Sequence, residues 1–118
     1  YGIRSVYDGR YRYIVNLTPE ATFQNVETKS PLFKEWKRLA ETDSHAKAMT
    51  TKYQHRPAIE LYDVKNDPYC MKNLAEDAKQ ASTISRLDKE LKRWMKDCGD
   101  EGQPTEMRAF EHMPGKRK

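Results

Sequence analysis

Hydrophobic and polar residues exchange places along this chain with two different periods. From Ala58 to Val64 they alternate, with Ile59 and Leu61 pointing one way and Glu60 and Tyr62 the other. A period of two, containing a β-branched residue and an aromatic, predicts a half-buried strand over 58–64. Residues 3–16 alternate in the same way around Asp8-Gly9, a favoured two-residue hairpin turn because both residues tolerate positive φ. Pairing Tyr7 with Arg10 sets Val6 opposite Tyr11, Arg4 opposite Tyr13 and Ile3 opposite Ile14. One face then carries Val6, Tyr11, Tyr13 and Val15 and is expected to be buried. The other carries Ser5, Tyr7, Arg10 and Arg12, with Ile3 and Ile14 at the far end. A slip of one residue would expose the apolar face, so the pattern specifies the register.

Elsewhere the spacing is helical. Ser30 suits an N-cap and Pro31 the first helical position. Leu32, Phe33, Trp36, Leu39 and Ala40 then recur on one side, with Lys34, Lys37 and Arg38 towards the other, which predicts a helix over 31–41. Trp36 on such a stripe is read as core rather than as a platform for a sugar ring. Asp43-Ser44 can cap a second short helix through about Lys52. Ile84, Leu87, Leu91, Trp94 and Met95 form a single stripe, predicting a long helix over 80–97 with Gly99 just past its end. Thr18 to Lys29 is polar and aperiodic and reads as a loop. Asn66-Asp67-Pro68 closes the 58–64 strand, because Pro68 fixes its own φ and turns Asp67 away from helix. The elements give an α+β fold, a small antiparallel sheet packed on the long C-terminal helix. Residues 1–97 are expected to form this domain, and 98–118 a polar tail, flexible or draped on a partner.

Composition narrows the picture. The 118 residues are 36% hydrophobic and 34% charged, with a mean hydropathy of −1.05. A chain of this size suits one domain, and its core is thin, so apolar surface is expected to need a partner. The first residue is Tyr1 rather than Met, and strand-like sequence starts at Gly2. A piece of a larger protein is expected to look like this, as would a processed chain. The net charge of +4 and pI near 9.0 can favour polyanions. The basic residues are interspersed with eighteen acidic ones, apart from the closing Lys116-Arg117-Lys118, so a solvated mixed-charge surface is the weightier reading. No run approaches the ~18 apolar residues of a membrane span, and no membrane partner is expected. Asn16-Leu17-Thr18 has the form of a glycosylation acceptor, with Pro19 after it.

The stretch from Tyr53 to Ala75 is the most distinctive. Arg-Pro-x-x-Glu-Leu-Tyr-Asp at 56–63, Asn-Asp-Pro at 66–68 and Asn-Leu-Ala at 73–75 precede a helix carrying Leu and Trp. With Ile3-Arg4-Ser5-Val6, residues 11–17 and Ser30-Pro31-Leu32-Phe33, this ordered series resembles the C-terminal end of the sulfatases, the heparan N-sulfatase (sulfamidase) branch being the nearest likeness. The resemblance implies a small antiparallel sheet with a terminal helix that buttresses an N-terminal catalytic domain. It also implies a sulfated glycan as the parent's substrate and a periplasmic, secreted or lysosomal location.

The chemistry that the resemblance implies is absent from these residues. A sulfatase matures a Cys or Ser within Cys/Ser-x-Pro-x-Arg to formylglycine, and calcium on Asp and Asn oxygens neutralises the sulfate. Cys70 is followed by Met71-Lys72-Asn73 and Cys98 by Gly99-Asp100-Glu101, so neither fits, and no paired Asp cluster resembles the metal site. No catalytic residue, metal ligand or cofactor is assigned to the chain, and calcium and formylglycine are expected in the parent. Nor do His45, His55 and His112 with the two cysteines make a convincing zinc site. Cys70 and Cys98 flank the predicted helix, which spans roughly 25 Å at ~1.5 Å per residue. A disulfide needs Cα atoms within about 7 Å, so the two are not expected to pair.

His55 and Arg56, on the approach to the strand, are the best candidates for substrate contact, since Arg can grip sulfate or carboxylate bidentately. The competing and weightier reading has Arg56 paired within the domain and His55 merely exposed. Arg10 and Arg12 are a second, weaker pair. The rival function is a self-standing basic module for acidic glycans or nucleic acid. Nucleic-acid readers interleave surface aromatics with a concentrated basic stripe, whereas these aromatics fall on faces expected to be buried, so nucleic acid is the less expected partner.

Overall fold

A computed structural model describes residues 1–113 and shows an α+β fold. Strands β1 (Ile3–Tyr7), β2 (Tyr11–Asn16) and β3 (Ile59–Asp63) form one antiparallel sheet in the order β1-β2-β3. Helices α1 (Pro31–Leu39) and α2 (Ser44–Gln54) separate β2 from β3 along the chain, and α3 (Ala81–Asp97) and α4 (Gln103–Met107) come after β3. Two compact units result: Tyr1 with Thr18–Pro57, and Gly2–Leu17 with Ala58 onward. The second holds the sheet, α3 and α4. The loop and helices between β2 and β3 make their own cluster.

The faces of the hairpin are as the alternation requires, but the register is displaced. Tyr7 pairs with Arg12, Val6 with Tyr13, Arg4 with Val15 and Ile3 with Asn16, two residues away from the two-residue turn expected at Asp8-Gly9. The Asp8 side chain is the reason. Its Oδ1 accepts from the Arg10 amide at 2.9 Å and the Tyr11 amide at 2.7 Å, which holds a longer loop. Because the pleat repeats every two residues, a displacement of two leaves every side chain on its expected face.

The core of this unit is Tyr13, Leu61, Leu87 and Leu91, with Val6, Val15, Leu74, Ile84 and Met95 packed around them. The α3 stripe thus meets the sheet face predicted to be buried. Trp94, placed on that stripe by its spacing, is instead 55% exposed. Strand β3 is not half-buried: Glu60 and Tyr62 are nearly as inaccessible as Leu61. Glu60 is satisfied there, accepting from Asn16 Nδ2 at 2.7 Å and from the Tyr62 hydroxyl at 2.6 Å. That bond and the 3% exposure of Asn16 remove it as a glycosylation acceptor in the folded chain.

The outer edge of β3 is closed by the residues after the turn. Leu61 N–H donates to Asn73 Oδ1 at 2.9 Å, Leu61 C=O accepts from Leu74 N–H at 2.7 Å, and Asn73 Nδ2 donates to Ile59 C=O at 3.3 Å. The Asn-Asp-Pro turn positions them, with Asp67 accepting from the Met71 and Lys72 amides at 3.0 and 2.9 Å. A sheet edge that would otherwise offer bare donors and acceptors is thereby covered.

Helix ends carry the expected caps: Ser30 Oγ accepts from Phe33 N, Asp43 from Ala46 N, and Gly99 at φ 70° lets Asp100 N–H reach Met95 C=O at 2.7 Å. Residues 98–113, read from the sequence as a polar tail, carry α4 and hold onto β1. Arg4 bonds Asp100, and its Nη1 lies 2.6 Å from Glu106. The tail reading of residues 114–118 lies outside the described residues.

Two outcomes are expected. Asn73→Ala leaves the Leu61 N–H without its partner and should cost about 1–3 kcal/mol in urea unfolding. Asn73→Asp keeps the acceptor and should lose less, and equal losses would sink this account. Asp8 is held at about pKa 2, first by the Arg86 side chain and then by the Arg10 and Tyr11 amides. Its folded value lies below the unfolded one, so its stabilisation is present above about pH 4 and lost as pH falls towards 2. Arg86→Gln should move the Asp8 midpoint upwards in a carboxyl NMR titration, and an unmoved midpoint would refute the pairing.

Candidate functional site

Within the unit formed by Tyr1 and Thr18–Pro57, aromatic rings gather around the end of α2. Phe23 meets Tyr1 edge-on at 5.3 Å and Tyr53 at 5.6 Å, Tyr53 meets Phe33 at 5.5 Å, and Phe33 meets Trp36 at 6.3 Å. These separations and tilts are those aromatic pairs prefer. Local sequence explains the placement. The Ser30 cap starts α1 so that Phe33 and Trp36 fall on one side, and Asp43 starts α2 so that Tyr53 falls in its last turn. Phe23 is brought in by its own backbone, its amide donating to Gln54 C=O at 2.7 Å. Phe33 alone is buried, whereas Trp36 and Leu39, expected in the core, are about half exposed.

Both residues predicted to contact substrate are at this place. His55 ends α2, its amide donating to Thr51 C=O at 2.8 Å, and its side chain is exposed. Arg56 is half-buried with its guanidinium 5.7 Å from the centre of the Phe23 ring, a cation–π distance. Lys37 Nζ donates to Gln54 Oε1 at 3.1 Å beside them. Sequence reasoning missed Phe23 and Tyr53, although a lone aromatic in the polar stretch 18–29 was a usable signal. The ensemble offers ring faces and cations, which can bind an anionic or saccharide group.

Arg10 and Arg12, the second pair named from the sequence, have contacts on the sheet. Arg10 reaches across to Asp63 at 2.8 Å, which holds that carboxyl at about pKa 2, and Arg12 lies 5.4 Å over the Tyr7 ring. Among the described residues no three His, Cys, Asp or Glu side chains group as metal ligands. No disulfide joins Cys70 and Cys98, as the helix between them required. Among the described residues no helix is long and apolar enough to cross a membrane.

No family model matches the chain. Two proteins of Formosa agariphila, both described as ulvan-active sulfatase, are similar to it. One is 34% identical over 108 residues, spanning 88% of this chain and 18% of that protein. The other is 33% identical over 98 residues, spanning 82% of this chain and again 18% of that protein. The chain therefore spans under a fifth of the length of the curated relatives it matches. A likeness that covers more than four fifths of these residues cannot be confined to one compact unit, and on it the chain is a sulfatase-related domain.

Proposed function

We propose that this chain is the non-catalytic C-terminal part of a sulfatase acting on sulfated glycans, buttressing a catalytic part and walling one side of its substrate cleft. The observation that carries the reading is a combination. The chain matches 18% of two sulfatases, yet its sequence contains no Cys/Ser-x-Pro-x-Arg from which a formylglycine could be made. The nucleophile and the calcium that supply the hydrolysis belong on this reading to the other part, and the chain alone is inactive. The relatives' description as ulvan-active makes ulvan a candidate substrate. The series Arg56-Pro57, Glu60-Leu61-Tyr62-Asp63 and Asn73-Leu74-Ala75 supports kinship with the heparan N-sulfatase branch, in which the bond broken is a sulfamate.

On the same reading, His55 and Arg56 face the cleft. A guanidinium seated on Phe23 is pre-oriented, which lowers the entropy lost when it grips a sulfate or carboxylate. The rival reading, a free-standing polyanion module, is weakened by the internal pairing of Arg10 with Asp63.

Reading the coding sequence upstream should reveal a Cys/Ser-x-Pro-x-Arg motif, and the 118 residues alone should release no sulfate from sulfated glycans. A frame that opens close to Tyr1 without that motif, or sulfate release by the chain itself, ends the proposal. In the longer protein, Arg56→Ala should raise KM about tenfold or more with kcat little changed, the cost of a charged hydrogen bond. A lowered melting temperature with KM unchanged would show that Arg56 serves the fold and not the substrate.

A further inference from the structure

A pocket opens beside the ring cluster, within the unit that holds α1 and α2. It encloses about 190 Å³ and is lined by Glu27, Ser30, Leu32, Phe33, Trp36 and Tyr53. Sites for drug-sized ligands run from roughly 300 Å³ upwards, so this one suits a single small ring. Trp36 is 49% exposed and Tyr53 38%, so two aromatic side chains of the lining stay open to solvent.

The polar groups decide what that ring can be. Among the described residues that line the pocket Glu27 alone is charged, and no hydrogen bond or ion pair with another described residue engages its carboxylate. Lys29 and Lys34, close to it in the chain, are not on the lining. Ser30 Oγ accepts from the Phe33 amide at 3.1 Å, which leaves its hydroxyl proton to donate. The pocket thus presents an acceptor, a donor and aromatic faces together. A pyranose answers all three, because its hydroxyls both donate and accept and its C–H face can lie on a ring. An ammonium group would use the rings and the carboxylate but leave the Ser30 proton unmet. A sulfate or carboxylate facing Glu27 would meet a like charge.

The wall is fixed before anything binds. Asn25 Nδ2 donates to the Tyr53 hydroxyl at 3.0 Å. Thr28 holds Asn25 in turn, its amide donating to Asn25 Oδ1 at 3.0 Å and its Oγ1 accepting from the Asn25 amide at 3.1 Å. Buried Phe33 lies against both Tyr53 and Trp36. Side chains ordered in advance lose less entropy on contact with a ligand.

We infer that this pocket binds one uncharged pyranose unit, with Trp36 and Tyr53 supplying the ring faces, Glu27 accepting from the sugar hydroxyls and Ser30 donating to them. Its place on a polymer rests on the proposed function. The rings run in contact from Phe23, which carries Arg56, through Tyr53 to the pocket. A glycan whose anionic group meets Arg56 can rest an unsulfated unit of the same strand on Trp36, and Glu27 then selects for a unit without sulfate.

NMR of the 118-residue chain with the methyl glycosides of glucose, galactose, mannose, xylose and rhamnose tests the assignment. At millimolar concentrations at least one should shift the Trp36 indole and Tyr53 ring signals and leave those of Trp94 on α3 unmoved. Its monosulfated forms should bind several-fold more weakly. Glu27→Gln should weaken the neutral glycoside about tenfold, the worth of a hydrogen bond to a charged group. The melting temperature should stay as it was, since this side chain is exposed. Silence at Trp36 with every glycoside overturns the proposal, as does equal binding of a sulfated form or an unchanged affinity in Glu27→Gln. A response to tetramethylammonium with none to the glycosides overturns it in favour of a cation. Glycoside binding in a protein whose upstream frame lacks Cys/Ser-x-Pro-x-Arg would keep the pocket and discard the sulfatase reading. That motif upstream with a silent Trp36 would do the reverse.

Discussion

The contact between Leu61 and the α3 residues Leu87 and Leu91 is what the sheet-bearing unit depends on. All three side chains are essentially inaccessible to water, and Tyr13 completes the cluster. Leu61 also carries a backbone constraint, since at the sheet edge its N–H and C=O point away from β2. They are met by Asn73 and Leu74, so burial of the side chain and satisfaction of the backbone occur at one residue. An unmet amide beside a dry core would cancel much of what the leucine contributes. This is the physical content of the Asn-Leu pair downstream of the Asn-Asp-Pro turn.

The two units divide the labour. The sheet unit is closed by its own charges as well as by its core. Arg4 ties Asp100 and Glu106 to β1, Arg86 ties α3 to Asp8, and Arg10 ties β2 to Asp63. The burial of Tyr13 pushes its phenol well above the usual range, and the Asp88 acceptor adds to this, so the ring stays neutral where it packs. The other unit holds its shape through ring contacts and two capped helices, and leaves rings and cations facing outwards.

Glu60 is a buried acid with both oxygens engaged. Inaccessible and flanked by a tyrosine, it has the look of a catalytic carboxylate. Its Oε1 accepts from Tyr62 and its Oε2 from Asn16. Both oxygens are thus held by neighbouring side chains, and Glu60 and Tyr62 share the face opposite Leu61.

The sequence by itself determined the strands, the capped helices, the buried hairpin face and the absence of Cys/Ser-x-Pro-x-Arg from these 118 residues. Each of these is a local matter: the pleat alternates, a helix repeats every 3.6 residues, Ser30 and Asp43 carry the oxygen a helix start needs, and a motif is either spelled out or it is not. Tertiary structure alone decided the rest. The hairpin register moved by two because alternation is blind to such a shift and the Asp8 side chain preferred a longer loop. Trp36 and Trp94 lie on apolar stripes and yet stand in water, because periodicity defines a stripe without saying whether anything covers it. Residues 100–107 have no hydrophobic rhythm, and they were placed by Arg4, which lies about a hundred residues away in the chain. Phe23, Tyr53 and Arg56 came together through Phe23 bonding to Gln54, a pairing across thirty-one residues that no local pattern encodes.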